Sequence, residues 1–194
     1  RNTLSKSRYL FMNRDEALTL VKMNLKKDSM VKHVLAVEAI MRGLAEYFDE
    51  DIDLWGLVGL LHDIDYESVE GDMKKHGLVA ESILHGKVND SIIRAIKSHN
   101  YVNTSIMPES RMERALISAD AISGLIVACA LVMPSKRLSE VKVETIVKKF
   151  KDKDFARGSD RSRILMCESL GIKKEQFFEI ALKALQRIDA ELGL

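Results

Sequence analysis

The sequence predicts an all-α fold, a compact bundle of about eight helices. Three observations carry that reading. Apolar residues recur at the spacing of a helix with one buried face. Only two prolines occur in 194 residues, while Leu, Ala, Lys and Glu are frequent, a composition that favours helix throughout. Strand-like stretches are short and ambiguous, Val141 to Thr145 among them.

The elements follow in order. Asn13 to Asp15 opens a first helix over Arg14–Asn24. A second, Ser29–Phe48, places His33, Val37, Ile40 and Leu44 on one face. The third, Ile52–Asp63, is apolar almost all round from Leu54 to Leu61 and therefore belongs in the interior. The fourth, His76–His85, has His76 leading a stripe of Val79, Ala80 and Ile83, and the fifth, Asn89–Ser98, aligns Ile92 and Ile96 with His99. A long helix over Glu109–Val132 contains the longest apolar run, Ala121 to Met133, which is broken by Ser123 and Gly124 and stops before Pro134. That run falls short of membrane-spanning length and reads as a core helix. Helices over Leu138–Lys148, Arg161–Leu170 and Lys174–Leu192 complete the chain, nine if the last two are counted apart. Gly71, Gly86 and Gly171 sit where helices should stop. The last helix carries Phe177, Phe178, Ile180, Leu182, Leu185 and Ile188, a stripe suited either to cap the bundle or to form a homodimer face.

No linker or repeat divides the chain, so residues 13–194 read as one domain, with a core over about 29–133, C-terminal helices over 138–192 and residues 1–12 as a leader. Thirty basic residues balance twenty-nine acidic ones, which argues against a nucleic-acid duplex or a membrane surface as partner. Cys129 and Cys167 lie in apolar helical patterns and read as reduced core residues of a cytoplasmic protein. Arg1 to Phe11 lacks the apolar centre and small-residue cleavage site of a signal peptide.

The informative residues are ionisable ones on buried stripes. His33, His76 and His99 come from three separate helices and point at one core. A lone histidine there is more often a hydrogen-bonded core residue; three converging ones are a different matter. His62-Asp63 ends an apolar helix, where two unpaired ionisable groups would cost several kcal/mol on the order-of-magnitude scale of polar burial. Asp120 sits in mid-helix between Ala119 and Ala121, with no Lys or Arg within one turn after it and Arg114 shortly before. A buried His–Asp pair, or a backbone N–H to Asp120, is the bland account. A divalent cation held by His33, His62, Asp63 and Asp120 explains the set in one step. Imidazole and carboxylate suit Mn, Fe, Co, Ni or Zn, and Mg less well, and the lack of thiolates argues against a structural zinc site. Asp65, Glu38 and Glu67 are the nearest candidates to accept the outer ring N–H groups.

The pattern His33, Leu60-Leu61-His62-Asp63-Ile64-Asp65, His76-Gly77, His99 and Asp120 resembles the HD-domain superfamily of metal-dependent phosphohydrolases, and within it the small stand-alone bacterial HDIG-type proteins. The resemblance implies an HD-type helical bundle with one or two divalent ions. His33, His62, Asp63 and Asp120 would hold the first, and His76 and His99 the second, with Asp63 bridging. Two departures stand out. Asp65 occupies the glycine position of HDIG, and His99-Asn100 replaces the histidine pair of some two-metal members, which leaves the second ion a ligand poorer. His85, before Gly86, fits a helix-end dipole partner better than a ligand.

The implied activity is hydrolysis of a phosphoester or phosphoanhydride in a nucleotide or other small phosphorylated metabolite. Asp63 and Asp65 are then the expected catalytic carboxylates, Asp65 orienting or deprotonating the attacking water. Lys75, Lys136 and Arg161 are the expected substrate contacts, drawn from a supply that includes Lys149, Lys151, Lys153, Arg157 and Arg163. Two other classes share these residues: a diiron oxygenase, since some relatives use the same ligand set with O₂, and a non-catalytic nucleotide-sensing or dimerisation module.

Overall fold

The side chain of the N-cap residue sets the start of five helices in the computed structural model, which describes residues 12–194. Helix α1 (Arg14–Asn24) opens with a reciprocal box in which Asn13 accepts the Glu16 N–H and Glu16 accepts the Asn13 N–H, both at 2.9 Å. Helix α2 (Asp28–Phe48) buries Val34, Val37, Ile40, Met41 and Leu44, and α3 (Ile52–Leu61) starts at Asp51, which accepts from the N–H groups of Asp53 and Leu54. After α3 the chain runs in irregular turns to Gly77 before α4 (Leu78–Leu84), α5 (Asp90–His99) and the single turn α6 (Tyr101–Thr104). Helix α7 (Arg111–Leu131) is capped by Ser110 and Glu113. A 3₁₀ turn at Leu138–Glu140, α8 (Val143–Lys151), α9 (Arg161–Leu165), a second 3₁₀ turn at Met166–Leu170, α10 (Lys174–Gln186) and α11 (Asp189–Leu192) follow. All regular structure among the described residues is helical.

The two long helices organise the rest. Helix α2 packs along α3, α7 and α10, while α7 also receives α5, α8 and α9. One apolar cluster extends from Ala17 to Leu192 through these contacts. The closest approach is at Gly59 of α3, where a Cβ would stand 2.8 Å from Glu38 Cα and from the Val37 carbonyl oxygen of α2. Glycine is therefore required there for α3 to seat on α2. The apolar stripe of α10 is taken up inside the chain: Phe177, Phe178, Leu182 and Leu185 are buried, and the helix packs on α2, α7 and α8.

Several boundaries depart from the expected ones. His76 precedes α4 instead of starting it, because Gly77 adopts φ +92 and breaks the helical path. The predicted helix over Leu138–Lys148 divides at Lys142, which is extended at φ −114 and ψ 162, and no strand forms at Val141–Thr145. The stretch Arg161–Leu170 tightens from α9 into a 3₁₀ turn that ends at Gly171 with φ +85. Helix α10 stops at Gln186, with Ile188 at φ −120 separating it from α11. Helix α7 is in fact long and apolar enough to cross a membrane by length and composition, contrary to the reading of its shorter apolar run; 67% of its most apolar window is buried inside the molecule. The leader expected over residues 1–12 falls outside the described residues except for Met12, which packs against the core.

Candidate metal centre

Four helices and one turn deliver six side chains to a common point. His33 projects from α2, His62 and Asp63 from the end of α3, His99 from the last position of α5 and Asp120 from the middle of α7. His76 arrives from the turn before α4. His62, Asp63, His76 and His99 are buried, whereas His33 and Asp120 are half-exposed and open the site to one side. Asp63 is central, and its two oxygens face different partners. Oδ2 lies 3.3 Å from both His33 Nε2 and His62 Nε2. Oδ1 lies 3.2 Å from His76 Nε2 and 3.4 Å from His99 Nε2. Asp120 Oδ1 completes the first group at 3.0 Å from His33 Nε2 and 3.5 Å from His62 Nε2.

The outer ring nitrogens fix the tautomers. His62 Nδ1 donates to the Gly59 carbonyl at 2.7 Å, His99 Nδ1 to the Ile96 carbonyl, and His76 Nδ1 to Asp65 Oδ1 at 2.8 Å. Each acceptor is an oxygen without a proton, so each Nδ1 carries the hydrogen and Nε2 presents its lone pair inward. His76 Nε2 and His99 Nε2 then face one another at 3.0 Å, an arrangement that needs a proton or a cation between them. His62 Nε2 is buried with no hydrogen-bond partner among the described residues.

Electrostatics point the same way. Burial pushes the His33 and His76 imidazoles down, but the carboxylates outweigh it and raise both to about 9: Asp120 and Asp63 beside His33, Asp63 and Asp65 beside His76. His62 is likewise raised against its own burial, chiefly by Asp63. Burial pushes the Asp63 and Asp120 carboxyls up, yet the surrounding imidazoles hold both below the usual carboxylate range. The cavity thus attracts positive charge, and protons compete with any metal ion for the same lone pairs.

The donor set fits divalent ions. Imidazole nitrogens and carboxylate oxygens bind such ions at about 2.0–2.2 Å, which sets neighbouring ligand atoms about 3 Å apart. The separations above match that figure. Two groups result, His33, His62, Asp63 and Asp120 in one and Asp63, His76 and His99 in the other, with the ligand atoms of each within 4.8 Å of one another. Residues 30–125 match the family model of the HD domain, and all six side chains lie inside the matched stretch. The match supports the HD-domain superfamily. No curated protein and no solved structure matches the chain.

Other expected residues of the HD domain and its extension take different places. Asp65 does not face the cavity. It is fully buried, with Oδ1 on His76 and Oδ2 accepting the Gly77 N–H at 2.7 Å and the Ala80 N–H at 2.9 Å. Its carboxylate caps α4 and orients His76, so both oxygens are committed away from the position an attacking water would need. Burial raises this carboxyl, but His76 and the two amides hold it below its ordinary value. Glu38 pairs with Arg14 and Arg42, and Glu67 accepts the Lys26 and Lys27 amides, so neither supports a histidine. Arg161 is no substrate contact: its guanidinium donates to the carbonyls of Lys149, Phe150, Asp152, Phe155, Ala156 and Ser159 and moors that segment. Lys75 points to Asp72 at 3.5 Å on the surface, and Lys136 lies beside Arg137 and Asp189, in a separate hollow from the histidines. His85 is exposed at the end of α4.

The cavity over His33, Asp63, His76, His99 and Asp120 has a volume of about 300 Å³ and is walled by Met30, Tyr66, Met73, Asn100 and Arg163, with His62 buried behind it. A second hollow of about 420 Å³ shares His33, Asp120 and Arg163 and continues to Gly124, Gly158 and Ser159. Asn100, expected only as the missing histidine of a pair, donates to the carbonyls of Met73 at 2.8 Å and His76 at 2.9 Å and so fixes the turn that carries His76. Met30, Tyr66 and Met73 gave no sequence signal, because large apolar residues at a cavity rim are indistinguishable in sequence from core residues.

Proposed function

We propose that the chain is a metal-dependent phosphohydrolase of the HDIG type, acting on a phosphoester or phosphoanhydride in a nucleotide or another small phosphorylated metabolite. The observation that carries this reading is the split of Asp63, with one oxygen toward His33 and His62 and the other toward His76 and His99. That arrangement suits two ions bridged by one carboxylate. Such ions, when bound, acidify water and offset charge on phosphoryl oxygens.

The chain's own residues do the rest. Gly59, Ile96 and Asp65 hold the rings of His62, His99 and His76 in place, so three Nε2 atoms face the cavity in a fixed orientation. Asp120 and His33 stand on the open side, where substrate must enter. The adjoining hollows of about 300 and 420 Å³ suit a small metabolite.

The test is elemental analysis of protein purified without chelator, followed by a broad panel of phosphorylated substrates. Wild type should carry about two metal equivalents, His99→Ala about one and Asp63→Ala little, and hydrolysis should vanish in Asp63→Ala. A wild type that takes up no metal, or that is metal-loaded yet hydrolyses nothing on the panel, refutes the reading. Iron with O₂ consumption would move it to the oxygenase class.

A further inference from the structure

We infer that Arg163 is the cationic contact for an anionic phosphoryl group at the metal centre, supplied by the C-terminal extension and not by the HD domain itself. The inference rests on the phosphohydrolase reading and adds to it a residue outside residues 30–125.

Three observations converge on Arg163. It is the single Lys or Arg among the described residues lining the two hollows, and it lines both, beside His33 and Asp120. Its guanidinium has no carboxylate partner within ion-pair distance among the described residues; Arg114, Arg137 and Arg161 share that feature but line neither hollow. Asp160, whose carboxyl Arg163 helps hold below its ordinary value, lines the second hollow with it but lies beyond ion-pair distance, which leaves the free donors to a ligand.

The third observation is how the side chain is held. One Nη donates to the His99 carbonyl, and the guanidinium carbon lies 5.4 Å from the centroid of Tyr101. Asp160 caps α9, accepting the Ser162 amide at 2.8 Å, and Ser118 of α7 donates to the Arg163 carbonyl at 3.2 Å. The side chain is therefore fixed by one of its nitrogens and by stacking, while Nε and the other Nη make no hydrogen bond within the described residues. The free Nε–H and Nη–H point to different sides of the guanidinium, and each can donate one charge-assisted hydrogen bond to a phosphoryl oxygen. Arg161, two residues earlier, shows the opposite outcome, every donor being spent on backbone carbonyls.

The experiment is calorimetric titration of inorganic phosphate into Mn²⁺-loaded protein, with bound metal quantified on every sample. Arg163→Gln keeps a donor for the His99 carbonyl and removes the charge; Arg163→Lys keeps the charge and removes the planar set of donors. Arg163→Gln should retain the wild-type metal content and weaken phosphate binding at least about tenfold, with Arg163→Lys in between. Phosphate affinity within twofold of wild type in Arg163→Gln overturns the inference, as does a metal-loaded wild type that binds no phosphate. A wild type that takes up no metal defeats the phosphohydrolase reading instead. Phosphate titration of that metal-free protein against Arg163→Gln then judges Arg163 separately, equal binding overturning its role.

Discussion

At Asp63 the two carboxylate oxygens face different histidines, and two residues later Asp65 turns fully away from them. Local spacing cannot distinguish these roles, since both aspartates follow the same buried helix. Asp65 accepts three donors where an amide oxygen can accept two, so Asp65→Asn should loosen His76 and leave His33 and His62 in place. Metal titration should show the second ion bound about 10–100-fold more weakly than in wild type and the first unchanged; a second-ion affinity equal to that of wild type would refute the positioning role. Proton linkage gives a second expectation. His33 and His76 are raised from 6.5 to about 9 in the folded, metal-free chain. A raised folded-state value stabilises fully below the unfolded value, and that stabilisation is lost as pH climbs through the folded one. Metal-free protein should therefore lose melting temperature between pH 6.5 and 9, read by thermal denaturation in chelator. Stabilisation by added metal should grow over the same interval, because ligation needs neutral imidazoles. A metal-free melting temperature that rises across this range would contradict the proton-holding cluster.

Among the elements, the contact of α2 with α3 governs whether His33 meets His62-Asp63. Gly59→Ala would put a methyl group 2.8 Å from Glu38 Cα and the Val37 carbonyl, backbone atoms that cannot swing aside. We expect a loss of about 1–3 kcal/mol in denaturant unfolding together with weaker metal binding; an unchanged midpoint would show that the helices separate at little cost. The helices of this contact were legible in the sequence, because the His33–Val37–Ile40–Leu44 stripe and the apolar Leu54–Leu61 run repeat at helical spacing. Gly59 was not, since nothing in one helix says where another will touch it. The same limit explains His76: its spacing to Val79, Ala80 and Ile83 is helical, but Gly77 at φ +92 and the distant Asp65 cap start the helix two residues later.

Over the whole molecule, the irregular stretch from His62 to Gly77 is tied to the helices through the metal-centre residues and Asn100 around His76. Elsewhere it is tied through Ile64 in the core and Glu67 on the Lys26 and Lys27 amides. Removing metal should therefore raise amide hydrogen exchange around His76 first, while the α2–α10 contact stays protected; uniform deprotection along the chain would contradict this division. Saturation at a hundredfold excess over the dissociation constant corresponds to about 2.7 kcal/mol per site. The sequence by itself determined the all-α class, the interior helices and the identity of the six converging residues, because helical periodicity is local and an ionisable group on an apolar stripe is conspicuous wherever the fold places it. Only the tertiary structure decided the rest: that Asp63 divides its oxygens between two groups, that Asp65 serves His76, that Arg161 is spent on six carbonyls and that Arg163 stands over the cavity. A hydrogen-bond donor or a charge commits to one partner among many within reach, and which one it meets depends on atoms brought close from distant parts of the chain.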